Sequence, residues 1–353
     1  MTRVLIVGAG PTGLAAGVEL ARHGILPTII DRRHEPSGLS RAVGITPRSL
    51  ALLAPSGVAD AILEAATPLR SLYVYSGSSL SLSTPVSSER AFVPHLMGLA
   101  QDETEAIMRR ALRAKGVGVR YGVALERIHD PDAPTAHLSD GSSATFDYIV
   151  GADGVGSTTR AQAGIDFPGY ELGEEWSIAD VDLSEWRHPD GFTLMRVAPG
   201  IVAVVVPLGG ARFRVLSSTP DALEAASLPL DVTHEHRTGT FQISVRQAET
   251  YSAGRVHLAG DAAHCHSPVG GRGMNLGIAD GVALAKRIAS GDTAGYSLER
   301  HPEAAEAIRT TERARHMLVG RSRWQRAVLD SALLALRHTP ALRRRMARFV
   351  VEF

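Results

Sequence analysis

The sequence predicts an α/β fold with a second, β-rich part and a helical tail. A short apolar run, a glycine-rich turn and an amphipathic segment follow one another at the start of the chain. Strand-like runs cluster at 71–98 and 176–248, and the pattern from residue 301 onward is helical and rich in arginine. The 353 residues allow two domains of ordinary size. A hydrophobic fraction of 44% excludes disorder over most of the chain.

The first elements form a βαβ unit. Residues 3–7 are an apolar, β-branched run typical of a buried parallel strand. Residues 12–23 carry the apolar spacing of a helix, and residues 26–31 predict a second strand that ends in the carboxylate of Asp31. This order of elements is that of a Rossmann-like dinucleotide-binding unit.

The later elements follow from the same patterns. Residues 71–98 are rich in serine and predict edge or hairpin strands, and residues 117–150 predict a meander of strands with a turn at Asp140-Gly141. The other predictions are helices over 46–66 with a break at 55–57, helices over 102–114 and 274–289, strands at 176–181, 192–197, 201–206 and 213–216, and a buried strand at 255–260.

The glycine-rich turn fits the pattern G-x-G-x-x-G in the context that this pattern needs. Its residues are Gly8, Gly10, Pro11, Thr12 and Gly13, with Ala9 between the first two glycines. The first glycine turns from strand to helix, the second admits a pyrophosphate and the third lets the helix pack closely. Asp31 stands 23 positions beyond Gly8, where a carboxylate accepts hydrogen bonds from a ribose, and Arg32 follows it. The motif does not separate NAD from FAD.

Two further glycine clusters follow predicted strands. Gly151–Ser157 contains Asp153 and Gly154, and Arg160 comes shortly after it. The other runs from Gly260-Asp261 through Pro268 to Asn275. A simple NAD dehydrogenase does not need these additional clusters. A protein that contacts a long cofactor at several places does need them. Asp261 could bind a polyol chain, and a loop at 270–273 that opens a helix offers free N–H groups to a ring that carries negative charge.

With these three motifs in order, the sequence resembles the FAD-dependent aromatic hydroxylases, the group A flavoprotein monooxygenases of para-hydroxybenzoate hydroxylase-like fold. The resemblance implies a FAD-binding α/β domain interleaved with a β-sheet substrate domain and followed by C-terminal helices. The expected boundaries are 1–70, 99–169 and 251–295 for the FAD-binding domain, 71–98 and 170–250 for the substrate-binding domain, and 296–353 for the helices.

The resemblance also implies site residues. Ser40-Arg41-Ala42 matches the loop after the second strand, where Arg41 would meet the pyrophosphate, and Gln101 matches a glutamine near the flavin. The pocket over the flavin would hold Pro268, Arg272 and His266. The expected cofactor contacts are Gly8, Gly10, Pro11, Thr12, Gly13, Asp31, Arg32, Arg41, Gln101, Asp153, Gly154, Gly260, Asp261, Gly271, Gly273, Met274 and Asn275.

Several positions depart from the family pattern. Asp31 stands where glutamate is common, Arg272 replaces a glutamine in the loop beside the flavin, and Gly281 replaces an alanine after Asp280. The substrate region at 170–250 is short for the family, and a thioredoxin-like extension that some members carry is not present in this sequence.

The implied activity is that of a monooxygenase. NAD(P)H, bound transiently, reduces FAD, and a C4a-hydroperoxyflavin passes one oxygen atom to an aromatic or polyketide-like substrate by hydroxylation or epoxidation, with natural-product tailoring as a setting. The cofactor performs the chemistry while the protein orients the reactants and excludes water. Alternatives are a flavin-dependent oxidase or reductase without oxygen insertion, a halogenase, or a non-catalytic FAD-binding protein. A halogenase fits less well, because no Trp-x-Trp occurs and the two lysines, Lys115 and Lys286, lie in predicted helices.

Composition excludes other classes. The 37 basic residues balance 37 acidic ones, which gives no general attraction to nucleic acid or to an anionic membrane. No apolar run is long enough for a membrane span or a signal peptide, so a cytoplasmic protein without stable membrane association is expected. The expected oligomeric state is a monomer or a homodimer. A single cysteine, Cys265, excludes an intramolecular disulfide, and no ligand set for a metal is evident. His264 is expected to form hydrogen bonds within the protein, and Cys265 to be packed as a small apolar residue.

Overall fold

The computed structural model describes residues 2–36, 38, 42, 44–320 and 322–352. The helices are α1 (Pro11–Arg22), α2 (Pro47–Leu53), α3 (Val58–Ala65), α4 (Gln101–Ala114), α5 (Thr158–Gln162), α6 (Gly273–Ser290), α7 (Tyr296–Leu318), α8 (Arg323–His338) and α9 (Pro340–Glu352). Single 3-10 turns cover Ala54–Ser56 and Gly260–Ala262.

The strands, in chain order, are β1 (Val4–Val7), β2 (Thr28–Asp31), β3 (Gly44–Ile45), β4 (Thr67–Leu69), β5 (Ser71–Ser76), β6 (Ser79–Pro85), β7 (Leu96–Gly98), β8 (Val119–Tyr121), β9 (Leu125–His129), β10 (Thr135–Leu138), β11 (Ser143–Thr145), β12 (Tyr148–Gly151), β13 (Gly169–Leu183), β14 (Gly191–Ala198), β15 (Ile201–Gly209), β16 (Arg212–Ser217), β17 (Val232–Gln247), β18 (Ser252–Ala253), β19 (Val256–Leu258) and β20 (His264–Cys265).

The central sheet of the cofactor half has the order β18-β19-β12-β1-β2-β8. β1 lies between β12 and β2, runs parallel to both and is buried over its whole length. This confirms the buried parallel strand and the βαβ unit that the sequence predicts. β19 is parallel to β12, so the loops that follow β1, β12 and β19 meet at one edge of the sheet. These three loops are the three glycine clusters.

The prediction of one meander over 117–150 is wrong in part. β8 pairs with β2 and β12 pairs with β1, in both cases in parallel, so the two ends of this segment belong to the central sheet. Only β9, β10 and β11 form a small antiparallel sheet, with the expected turn at Asp140-Gly141. The ends differ because β12 is apolar and inserts between β1 and β19, where both of its faces are covered.

Helices α1 and α6 pack closely against each other. A Cβ atom at Gly277 would lie 2.2 Å from Thr12 Oγ1, and one at Gly281 would lie 2.5 Å from the Thr12 carbonyl oxygen. Glycine at position 281, where the related family commonly has alanine, therefore permits the α6 backbone to touch the start of α1. This contact joins the first glycine loop to the helix that follows the third.

A second sheet has the order β20-β17-β13-β16-β15-β14-β5-β6 and is antiparallel except between β5 and β14. The β5–β6 hairpin lies at its edge, as the serine-rich segment predicts. The long strand β17 has no counterpart in the sequence prediction, because charged and polar residues fill most of it and leave no apolar alternation before Phe241.

The two faces of this sheet have different neighbours. Ala203 and Val205 belong to an apolar cluster that also includes Ala222 and Leu228 from the segment after β16. The opposite face turns to the cofactor half: Arg214, which pairs with Val206 across β15 and β16, donates to the Ala42 carbonyl at 3.0 Å. The space between this face and the glycine loops is where the two halves of the molecule meet.

A small sheet of order β3-β7-β4 bridges the halves. β7, which the sequence places with the substrate-binding part, pairs with β3 and β4 rather than with the eight-stranded sheet. It lies close to that sheet nonetheless, because a Cβ at Gly98 would be 2.6 Å from the Pro207 carbonyl oxygen.

The C-terminal helices fold back over the body of the protein. α7 packs on α6, while α8 and α9 pack against β6. Arg344 and Arg345 are exposed on α9. Within the described ranges, every helix is too short or too polar to cross a membrane.

Candidate active site

The first glycine loop is shaped by backbone contacts at two of its three glycines. Gly8 has φ +105°, and a Cβ there would lie 2.2 Å from the Ala152 carbonyl oxygen. A Cβ at Gly13 would lie 2.0 Å from the Gly8 carbonyl oxygen. A Cβ at Gly10 would meet no atom within 4 Å. The first and third glycines therefore pack the fold, and the second borders open space, as a bound pyrophosphate requires.

The start of α1 offers positive charge to that space. Gly10 is its N-cap and provides no capping side chain, Pro11 is at the first position, and the first turn holds no acidic residue. Among the described residues, no capping side chain binds the N–H groups of this turn, which carry the positive end of the helix dipole. An anionic group over Gly10 would satisfy them.

Asp31 ends β2 beside this loop and is 6% exposed. Its carboxylate accepts from the Ala9 amide at 2.8 Å and from the Arg33 side chain at 2.8 and 3.0 Å. Burial alone would raise the pKa of Asp31, but the hydrogen bonds from Arg33 and the two backbone amides outweigh burial and hold the pKa below its usual value. A ribose hydroxyl would share these oxygens with Arg33. Arg32, the residue named from sequence, is exposed. The missed residue is Arg33, whose only signal is its place two residues after the carboxylate.

The second loop is held by its own carboxylate. Asp153 accepts from Ser157 Oγ at 2.5 Å and from the Thr159 amide at 3.0 Å, and Ser157 in turn caps α5. This set of bonds gives Asp153 a role within the loop, beside the cofactor contact expected for it. Arg160 leaves the loop and donates to the Ala262 carbonyl at 2.9 Å. The second loop is thereby tied to the third.

The third loop begins with a turn against the first. Gly260 has φ +61°, and a Cβ there would lie 2.4 Å from Thr12 Oγ1. Asp261, next in the chain, is exposed beside the start of α1. Its carboxylate is accessible to a ligand at this edge, and the polyol contact expected of it stays a prediction.

A fully buried carboxylate, Asp280 on α6, fixes the third loop. Its Oδ2 accepts from the Gly260 amide at 3.0 Å and contacts His264 Nε2 at 2.5 Å, while Oδ1 accepts from Arg300 Nε at 2.7 Å. Burial favours a raised pKa for Asp280, but His264 and Arg300 outweigh it and keep the pKa low. The hydrogen-bonding role expected for His264 is confirmed. In the sequence, Asp280 served only to locate Gly281, so its bonding role was missed, as was Arg300, which lies twenty positions later.

The loop that precedes α6 has a left-handed backbone conformation at two glycines. Gly270 has φ +93° and Gly271 has φ +63°, so both adopt the left-handed conformation that glycine tolerates. The buried side chain of Asn275 braces the loop, because it donates to the Gly271 carbonyl at 3.2 Å and to the Gly44 carbonyl at 2.9 Å. Gly273 opens α6, whose first turn has no acidic residue. Met274, like Asn275, is buried, and these positions hold the loop in place.

The three residues expected over the flavin lie on or beside this loop. Pro268 and His266 are half-buried, and the pKa of His266 is lowered by desolvation. Arg272 is 8% exposed, and burial lowers the pKa of its guanidinium to about 10, so it stays charged at neutral pH. Its Cζ lies 5.1 Å from the ring centroid of Phe349 on α9. The helical tail therefore reaches the site, which the sequence did not indicate.

Gln101 connects the site to α4. Its Oε1 accepts from the Ala42 amide at 3.3 Å and its Nε2 donates to Glu105 at 2.9 Å. Arg41, to which the resemblance gives the pyrophosphate contact, lies outside the described residues, as does Ser40.

The facing sheet carries a charge cluster that sequence reasoning missed. Asp180 and Arg214 are both 0% exposed, and Arg214 Nε donates to Asp180 at 2.5 Å. Arg237 and Arg212 also bind Asp180, at 2.9 and 3.1 Å. Because Arg214 contacts the Ala42 carbonyl as well, the cluster attaches the sheet to the loop after β2. Register across distant strands brings these residues together, so no local pattern reveals them.

The described part of the chain contains no group of three or more His, Cys, Asp or Glu residues placed to hold a metal ion. Cys265 is buried, with Sγ 3.3 Å from the Asp261 carbonyl oxygen, which agrees with the packing role expected of it.

The residues present fit a long dinucleotide. The open space at Gly10, the start of α1 and the exposed Asp261 lie along one edge of the central sheet. Direct contacts between Gly8 and Ala152, Gly260 and Thr12, and Arg160 and Ala262 make the three loops one surface.

Comparison with known proteins agrees with this geometry. A family model described as FAD binding domain matches residues 1–235 and 218–311. The chain is 32% identical over 338 residues to a rifampicin monooxygenase of Streptomyces venezuelae, with 88% of this chain and 70% of that protein covered. It is 30% identical to a 6-methylpretetramide 4-monooxygenase of Streptomyces rimosus, with 98% of this chain and 67% of that protein covered.

Solved structures show the same architecture. The p-nitrophenol 4-monooxygenase of Pseudomonas putida has a TM-score of 0.87 at 23% identity, with 98% of this chain and 97% of that one covered. The anhydrotetracycline hydroxylase of Streptomyces rimosus has a TM-score of 0.80 at 29% identity, with 99% of this chain and 76% of that one covered. The predicted fold class, a Rossmann-like FAD-binding part interleaved with a β-sheet part and a helical tail, is confirmed.

The fold, the three cofactor loops and these relatives together define a FAD-dependent flavoprotein. The chain belongs to the FAD-dependent aromatic hydroxylase family and is a FAD-dependent monooxygenase, for which NAD(P)H is the typical co-substrate.

Proposed function

We propose that this enzyme inserts one atom of O₂ into an aromatic or polyketide-like small molecule, by hydroxylation or epoxidation, in the tailoring of a natural product. The observation that carries the proposal is the meeting of three cofactor loops with a separate β-sheet face across one space. Relatives named for rifampicin, 6-methylpretetramide and pentachlorophenol support the choice of substrate class.

The chain's own residues bind and orient the reactants. FAD, when bound, supplies the redox and oxygen-transfer chemistry. The first turn of α1 and Gly10 would hold the pyrophosphate, and Asp261 the polyol chain. The N–H groups at the start of α6, after Gly271, would face negative charge on the flavin ring.

The second half of the site is the sheet face opposite these loops. We assign substrate binding to 71–98 and 170–250, cofactor binding to 1–70, 99–169 and 251–295, and a covering role to the helices in 296–353. The pocket would be bordered by Pro268, His266 and Arg272 on the cofactor side. NAD(P)H would bind transiently, and the enzyme would act in the cytoplasm as a monomer or homodimer.

Cofactor and co-substrate use test the proposal directly. The purified protein would be examined for a bound-flavin absorption spectrum, and NADPH and NADH oxidation would be followed under O₂ with p-nitrophenol, pentachlorophenol, rifampicin and anhydrotetracycline. We expect bound flavin, faster oxidation with one of these compounds, and a product that has gained one oxygen atom while the other leaves as water.

Two results would overturn the proposal. Absence of flavin from the purified protein and no uptake of added FAD would remove its basis. Release of one peroxide per NAD(P)H oxidised, independent of every aromatic compound, would favour an oxidase.

A further inference from the structure

The C-terminal helix α9 contacts the loop beside the expected flavin position. Arg272 is the N-cap of α6 and follows the two left-handed glycines of that loop. The guanidinium of Arg272 lies over the ring of Phe349 at 5.1 Å, in cation–π geometry. Phe349 is 77 positions away along the chain, so this contact closes the tail onto the site.

The same helix packs on the sheet face that borders the site. Val350 belongs to a cluster with Leu96, Ala100 and Val206. Val206 pairs with Arg214, which reaches the loop after β2, and Ala100 directly precedes Gln101. α9 also packs against α2. One short helix thus contacts the sheet, the bridge between the halves and the flavin loop.

Contacts at the middle and at the C-terminal end hold α9 in this place. Met346, in the middle, packs with Val74 and Leu82 of the β5–β6 hairpin. Glu352, at the end, accepts a hydrogen bond from Ser88. Ala347 and Val351 are buried, whereas Phe349 is 48% exposed. The helix is therefore held by its buried residues, and the Phe349 ring presents apolar surface beside Arg272, which is only 8% exposed.

We propose that α9 is the wall that closes the reaction chamber over the Gly270–Gly271 loop, and that Phe349 faces the aromatic substrate and keeps water from the flavin. The inference rests on the proposed function only in placing the flavin beside this loop. An aromatic ring fixed at the wall gives an aromatic substrate a stacking partner. Exclusion of water by the same ring protects the oxygen-transfer step from loss as peroxide.

Solvent access to the site tests the inference in the full chain. Iodide quenches the fluorescence of bound FAD on collision, and deuterium uptake reports opening of residues 272–276. For Phe349→Ala we expect a several-fold rise in the iodide quenching constant and faster deuterium uptake at 272–276. Phe349→Trp, which restores a large ring, should return both values towards those of the wild type.

Leu342→Ala is the matched control, because Leu342 is 42% exposed on the same helix and two turns away from Phe349. It should match the wild type in both measurements. If Phe349→Ala also matches the wild type in both, the inference is overturned. Deuterium uptake can be compared in FAD-free protein, so a wild type that binds no FAD would defeat the proposed function while leaving this test decisive.

Discussion

Asp280 in the cofactor half and Asp180 in the sheet half are both 0% exposed, and the two carboxylates are used differently. Asp280 in the cofactor half binds a histidine, an arginine and the backbone amide of Gly260. Asp180 in the sheet binds three arginines and no loop amide in the described structure. Asp280 holds the third glycine loop, whereas Asp180, through Arg214, attaches the sheet to the loop after β2. A change at Asp280 should therefore affect both stability and FAD binding, and a change at Asp180 mainly stability.

The largest expected effect is that of Asp280→Ala. It leaves the Nε of Arg300, a side chain that is 3% exposed, without its acceptor and frees the Gly260 amide. Breaking a buried pair in this way costs about 3–5 kcal/mol of unfolding free energy. Urea unfolding and FAD titration should both show a loss. Glu303→Gln, which alters an accessible partner of the same Arg300, should cost no more than about 1 kcal/mol; equal losses would contradict the special role of Asp280.

Asp180→Ala should follow, with a cost of about 3 kcal/mol, at the lower end for a broken buried pair. Arg214, which is 0% exposed, loses its carboxylate, whereas the Arg212 and Arg237 side chains are 25% and 17% exposed and can relax towards water. In urea unfolding, the control Asp182→Ala, on the same strand but 29% exposed, should change stability by less than about 1 kcal/mol. An Asp180→Ala protein that lost FAD as completely as Asp280→Ala would remove the difference between the two halves.

Acid should destabilise the cofactor half through His257. Burial lowers the pKa of His257 to about 4 from an ordinary 6.5. Between these values the unfolded chain binds a proton that the folded chain does not, so this stability is complete above about pH 6.5 and falls as the pH drops. At pH 5 the loss should be about 2 kcal/mol, from 1.36 kcal/mol per pKa unit. Unfolding of His257→Gln should depend less on pH over this range than unfolding of the wild type, as urea titrations at several pH values would measure.

Gly281→Ala should cost about 1–2 kcal/mol, because the new methyl group would lie 2.5 Å from the Thr12 carbonyl oxygen. Gly10→Ala meets no atom within 4 Å, so its FAD-free protein should unfold like the wild type while FAD binding weakens. Thermal unfolding with and without FAD separates the two. The reverse pattern would mean that Gly10 packs the fold and Gly281 does not.

The smallest effect on stability belongs to Asp261→Ala, because this side chain is exposed. FAD affinity should nevertheless fall at least about tenfold, since a hydrogen bond to a charged group contributes about 1.5–3 kcal/mol. Equilibrium dialysis measures this loss, with Glu64→Ala on the exposed side of α3 as the control. Unchanged FAD occupancy in Asp261→Ala would show that the polyol assignment is wrong.

Local patterns predicted the parts of this molecule that local forces determine. The run at 3–7, the glycine turn at 8–13 and the helix of 102–114 each specify their conformation within a few residues, and the structure contains all three. The carboxylate at the end of β2 was also found, because its spacing from Gly8 follows from the length of one βαβ unit.

The parts that were missed depend on partners far away in sequence. Asp180 meets Arg214 only after β13 and β16 pair in register. β17 is polar over most of its length, and its place beside β13 rather than its own pattern makes it a strand. The contact of Phe349 with Arg272 requires the whole helical tail to fold back. Periodicity within a window of ten or fifteen residues carries no information on such encounters.

The insertion of β12 between β1 and β19 has a consequence for how the enzyme is made. The glycine turn at 8–13 is synthesised first, yet Gly8 meets its neighbour Ala152 only after 144 further residues have been made. That separation is about five times the length of a βαβ unit. The turn that holds Asp261 and the helix that carries Asp280 are translated later still. FAD can therefore bind only after most of the polypeptide has left the ribosome. Until then the apolar strand β1 lacks its partner β12, and unpaired strand edges are prone to aggregation.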